Sequence, residues 1–242
     1  MKEANFGVVG KIKLNSYQPL CSNLFGREAI KKYHLNPYID GSCRREPDLE
    51  NKYPSISSLC RQDSFATKLY PNDVVVYMAL KSDETNSEYR LVSILKVKKR
   101  CDTHYLGKMW YDSQNELIPN NCMVKGNPPK TFDMTKSRYT SKKNMLDYWN
   151  KPANKQKIIG DRIVEKWNSE YQQKSERWST FIIAKSLFNS ITLNIEPPVI
   201  TTNDFKSILG RVPLTRTPNN LSKDELKGFC DLAKIKPIFR IM

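Results

Sequence analysis

The stretch IDGSCRREPDLE, residues 39–50, brings a cysteine, two arginines and the acids Asp40, Glu46, Asp48 and Glu50 into twelve positions. A little downstream, PSISSLCRQD (54–63) again sets a cysteine against an arginine. Side chains of these types hold a metal, cut a phosphodiester with one, or line a nucleotide pocket. The Asp40-Gly41 pair signals a tight turn, and Pro47 keeps the segment out of a helix or a central strand. Ser42, Cys43, Arg44 and Arg45 then form a short extended run in which neighbours point to opposite sides. One arginine of the pair faces a pocket, where its fork donates two parallel hydrogen bonds to a phosphate or to a base edge. Asp40 or Asp48 would orient that arginine or accept from a base amino group. The purely structural alternative is a local ion-pair network of Arg44 and Arg45 with Glu46, Asp48 or Glu50.

The other chemistries fit less well. PDLENK (47–52) holds both Pro-Asp and Glu-x-Lys, but metal-dependent nucleases of the PD-(D/E)xK kind carry these on separate strands. Six residues cannot deliver them to one metal from two directions. The six cysteines (21, 43, 60, 101, 122 and 230) form no CxxC pair, and neither His34 nor His104 lies beside one. A zinc site takes its ligands in such pairs, so no metal and no cofactor are expected. Cys43 and Cys60 each neighbour an arginine, which favours a thiolate, but no base is local to either. No catalytic residue is assigned. Aromatic faces among basic residues are stacking platforms for unpaired bases, and Trp110 is the candidate that follows the longest apolar strands.

The totals favour a polyanionic partner. The 242 residues carry 40 Lys and Arg against 25 Asp and Glu, a net charge of +15, and such a field attracts and captures polyanions. With 9 Phe, 12 Tyr and 4 Trp the chain is too aromatic to be disordered. No signal-peptide core opens the sequence and no window is long and apolar enough for a membrane span. A cytoplasmic protein with reduced thiols is expected.

The elements that must position these residues divide near residue 130. ANFGVVGKIKL (4–14) reads as an opening strand. DVVVYMALK (73–81), introduced by Pro71-Asn72-Asp73, and YRLVSILKVKKR (89–100) read as an antiparallel hairpin around a hydrophilic connector. CDTHYLGKMWYDSQNELIP (101–119) contains a short helix, and 120–130 is loop-like, with a return strand at Cys122–Val124 as an option. From 131 the chain turns basic, with 13 Lys and Arg against 6 acids over 125–180. Ile159, Ile163, Val164, Trp167 and Tyr171 fall on one helical face. Helix starts are marked at Thr201 and at Ser222-x-x-Glu225, the latter with capping-box spacing. The reading is α+β: a β-rich unit over 1–130 and a basic, mainly helical region over 131–242 packed on it or appended to it. Lys142, Lys143, Lys155 and Lys157 of the basic region are its candidate contacts to a phosphate backbone.

FATKLYPNDVVVYMALK followed by YRLVSILKVKKR resembles the strand pair of the PUA-like superfamily, which includes the EVE, ASCH, YTH and nucleotide-modification-associated (Nmad) domains. There a Gly-Asp turn opens a barrel strand and an R-L-x-h-h-x-x-V phrase returns beside it; here Asn72-Asp73 stands at the turn. The segment 39–61 is similar to the cysteine-plus-arginine phrase that leads into the barrel in the Nmad group. The resemblance covers about 4–130. It implies a small mixed β-barrel with flanking helices that accepts a flipped or modified base at its mouth, as in phage defence or RNA and DNA modification. Carried over, it makes Ser42–Arg45, Ser58, Cys60, Arg61 and Tyr77 pocket residues. The alternatives are a nucleic-acid-processing enzyme using Asp40, Asp48 and Glu50, and a basic protein whose partner is an acidic protein.

Overall fold

A computed structural model of the chain describes residues 2–17, 46–59, 64–82, 87–127, 152–214 and 217–240. It is a mixed α+β structure. The elements run β1 (Lys2–Gly7), β2 (Ile12–Ser16), β3 (Ser55–Ser57), a 3-10 turn (Ala66–Lys68), β4 (Val74–Ser82), β5 (Ser87–Cys101) and α1 (His104–Ser113). They continue with α2 (Ala153–Arg177), β6 (Phe181–Asn189), β7 (Val199–Ile200), α3 (Thr202–Leu209), β8 (Asn219–Leu221), α4 (Lys223–Leu232) and β9 (Ile235–Phe239). Seven strands make one sheet in the order β3-β6-β5-β4-β2-β8, with β7 beside the first residues of β5. Among the described residues this path is open, with β3 and β8 at its ends. A separate parallel pair, β1 with β9, makes a second, two-stranded sheet.

The expected hairpin of β4 and β5 is the centre of the main sheet, antiparallel from Val74↔Lys96 to Ser82↔Ser87. Its apolar run is continuous because both faces are covered. Val74, Val76 and Met78 point to one layer, with Leu14, Leu91, Phe188 and the α3 and α4 side chains Phe205, Leu226 and Phe229. Val75, Tyr77 and Ala79 point to the other, with Tyr17, Ile56, Leu69, Val92, Leu95 and Ile182. The turn before β4 is built as its residues require. Asn72 takes a left-handed φ of 77°, a conformation asparagine tolerates better than most residues. The Asp73 carboxylate accepts from Tyr70 N at 2.9 Å and Lys11 N at 2.7 Å. That stitch aligns β2 parallel to β4. It also demands a glycine at position 10, where a Cβ would stand 2.5 Å from Asp73 Oδ1.

Three expectations are revised. The opening strand over 4–14 is two strands, because the chain bends at Gly7 (φ 55°) and β1 leaves for β9 while β2 enters the main sheet. Cys122–Val124 is irregular chain between two turns rather than a return strand. The region from 131 is more than a helical appendage: β6 lies inside the sheet between β3 and β5, and β7, β8 and β9 also come from it. The run FIIA is β-branched and aromatic, so it favours a pleated surface despite the helical pattern before it. The helices themselves stand where expected. Thr103 caps α1 by accepting from Leu106 N at 3.1 Å, and both Thr201 with Asp204 and Ser222 with Glu225 form complete capping boxes. Against α1 lies Phe181, so close that a Cβ on Gly107 would come within 2.6 Å of its ring.

Candidate functional site

Where β5 and β6 pass the end of the β1–β9 sheet, a groove of about 850 Å³ opens. Its walls are Asn5–Val8 at the end of β1, Lys52 and Tyr53 before β3, Asn72 in the turn, Lys96–Lys98 on β5, Lys185 and Ser186 on β6, and Arg240 after β9. Five of these residues are cationic. Lys96 and Lys185 are direct partners in the β5–β6 ladder, so their side chains rise side by side from one face. Like charges in that position oppose folding. Burial, and after it the Lys185 ammonium, lower the Lys96 pKa.

The fold holds these cations in place without neutralising them. Lys96 Nζ donates to the Phe6 and Val8 carbonyls at 2.5 and 2.8 Å, which pins it to the Gly7 bend. Lys98, the extra residue where the register shifts between Val97 and Lys99, rides over the Tyr53 ring at 4.5 Å and the Trp110 ring at 5.1 Å. Lys52 forms an ion pair with Glu116 at 2.6 Å, which raises its pKa. Among the described residues, no carboxylate pairs with Lys96, Lys98, Lys185 or Arg240.

Of the residues singled out in the sequence, those that are described lie apart from one another. Asp40, Ser42, Cys43, Arg44, Arg45, Cys60, Arg61, Lys142 and Lys143 lie outside the described residues. Ser58 is fully buried, its amide donating to Thr180 O at 2.9 Å and its hydroxyl to Trp178 O. It ties the end of β3 to the segment after α2 and presents nothing to a groove. Tyr77 is likewise buried, edge-on to Tyr17 at 6.5 Å between centroids, because its position in β4 faces the interior layer. Lys155 and Lys157 are exposed on the first turns of α2. Among the described candidates Trp110 alone reaches the cationic region, half-buried and edge-on to Tyr53 at 5.0 Å.

The acids of the opening stretch have a different occupation. Asp48 is buried, and its carboxylate accepts from Glu50 N at 3.0 Å and Asn120 N at 2.9 Å. Its backbone pairs with Ser55 in both directions. Glu46 keeps some surface as a residue while its carboxyl lies inside, taking hydrogen bonds from Ser57 N at 3.0 Å, Ser57 Oγ and Asn121 Nδ2 at 3.3 Å. Burial nevertheless pushes its pKa up to about 8. Ser55 Oγ donates to Asn121 Oδ1 at 2.6 Å and completes the cluster. These groups fasten the 46–57 strap to the 120–121 turn. Among the described residues no three His, Cys, Asp or Glu side chains come together as a metal would require.

The groove had one local signal, LKVKKR at the end of β5. The rest of it comes from segments far apart in the chain, which only the strand register brings together. The chain matches no family model, and no curated protein and no solved structure is significantly similar to it.

Proposed function

We propose that this protein binds nucleic acid, with the sugar-phosphate backbone seated in the groove between the β1–β9 sheet and the β5–β6 face. The observation that carries the reading is the set of four cations, Lys96, Lys98, Lys185 and Arg240, held together in a concave site with no carboxylate partner among the described residues. Phosphates supply the missing charge and release their counterions. Tyr53 and Trp110 at the edge of the groove supply aromatic surface beside the cations, the combination that stacks unpaired bases. The PUA-like resemblance sharpens the reading to recognition of a flipped or modified base, and assigns the base to the segment around Arg44 and Arg45.

Fluorescence anisotropy tests both levels. Wild type and a Lys96→Gln/Lys185→Gln variant are titrated with single- and double-stranded DNA and RNA at several salt concentrations, with chelator present. The expected result is a loss of about tenfold or more in the variant and a salt slope shallower by roughly 0.7–0.9 for each backbone contact removed. An unchanged affinity would remove the groove from the interaction. The base-reading refinement predicts an added gain for oligonucleotides with modified bases, abolished by Arg44→Ala/Arg45→Ala. Equal affinity for plain and modified strands would leave backbone binding alone.

A further inference from the structure

The groove is not evenly charged along its length, and the unevenness bears on what it holds. Lys98 is engaged with two rings and Lys52 with Glu116, so both are partly committed. The unneutralised charge gathers instead at the Gly7 bend. Lys96 Nζ is anchored there by two carbonyls, and a side chain at Gly7 would begin only 3.5 Å from it. An ammonium has three N–H groups, so one remains for a ligand. Lys185 stands directly across the strand pair. Arg240 donates its backbone amide to Gly7 O at 3.0 Å, which fixes its Cα at the same bend, and the residue lines the groove.

Lys96 and Lys185 thus stand face to face, and the Arg240 backbone is tied to the bend that anchors Lys96. A phosphodiester presents one negative charge and two free oxygens. A phosphate monoester carries close to two charges near neutral pH and three free oxygens, and each of the three donors can meet one of them. Resting on the nucleic-acid reading above, we infer that Lys96, Lys185 and Arg240 form a seat for a phosphate dianion, supplied by the phosphorylated end of a strand. The remaining length of the groove, past Lys98 and Tyr53, takes the nucleotides that follow.

The test compares three single-stranded oligonucleotides of one sequence, with a 5′-phosphate, a 3′-phosphate or hydroxyls at both ends, against wild type, Lys185→Gln and Arg240→Gln. Both substitutions alter solvent-exposed side chains, and circular dichroism verifies the fold of each variant. One phosphorylated end is expected to bind about fivefold tighter than the hydroxyl strand, and each variant is expected to erase that preference while retaining weaker binding of all three strands. Inorganic phosphate, added at constant ionic strength, should compete with the phosphorylated end more than with the hydroxyl strand. If free phosphate alone binds with equal strength and the strand ends are not distinguished, a strand terminus is not the source and the inference fails. Equal affinity for all three strands in wild type overturns the seat while the groove stands. No binding of any strand overturns both.

Discussion

Two polar clusters of this protein lie close in sequence at one point, with Tyr53 and Lys52 in the groove and Ser55 and Ser57 in the strap, yet they are built on opposite terms. In the strap, two acids are matched: both Asp48 oxygens accept backbone amides, and Glu46 takes three donors. In the groove, like charges face each other across a strand pair and four cations lack a carboxylate among the described residues. Buried polar groups that serve structure are satisfied internally. Charges that face one another in a concave site weaken the fold, and on the proposed function a bound polyanion balances them. The contrast separates residues whose charges are satisfied within the fold from residues whose charges are not matched by a carboxylate among the described residues.

Asp48→Ala is the hardest blow to the first side of that contrast. It strands two backbone amides, one buried and one partly buried, and a loss of about 2–4 kcal/mol in denaturant unfolding is expected. The folded fraction should bind nucleic acid as wild type does. Loss of binding in protein that remains folded would show the strap to be part of the functional site.

Glu46→Gln comes next. The folded state binds the Glu46 proton more tightly than the unfolded state, with a pKa of about 8 against the ordinary value of 4.5. The folded state therefore carries more protons between these values, and its stability falls as pH rises through that window. Each unit of displacement is worth about 1.4 kcal/mol, so the variant should gain on wild type by roughly 1–3 kcal/mol between pH 5 and 9. Parallel pH–stability curves for the two proteins would show that the carboxyl ionises freely.

The smallest effect belongs to the groove. Lys185→Gln removes one of two facing like charges, so stability should change by no more than about 0.5 kcal/mol, toward greater stability. A loss as large as that of Asp48→Ala would mean that the lysine is a structural residue, and the contrast would collapse.

Local signals made much of the scaffold legible. The β4–β5 hairpin follows from β-branched runs behind a turn, α1 from its spacing, and the starts of α3 and α4 from Thr201 and from the Ser222 box, because each depends on residues within a few positions. The groove was illegible for the opposite reason. Counting charge along a window leads to Lys142, Lys143, Lys155 and Lys157, whereas Lys96 meets Lys185 only through the β5–β6 register and Arg240 arrives from β9. The acids of 46–50 suggested chemistry because composition cannot tell an acid that binds a ligand from one that accepts its own backbone amides. Tyr77 misled similarly, since strand parity alone cannot tell which of two covered layers is a pocket.

The pairing of β1 with β9 has a temporal consequence. Glu3 and Lys236, which meet through their side chains across these strands, are 233 residues apart. One wall of the groove belongs to β1 and another to Arg240 just past β9, so neither strand makes the site alone. A growing chain on the ribosome exposes its lysines early, but the arrangement that concentrates them exists only after the last strand has docked beside the first. Ala4 and Phe6 of β1 and Ile235 of β9 also belong to the core beneath, so closing that core and completing the groove depend on the same pairing of strands from opposite ends of the described chain.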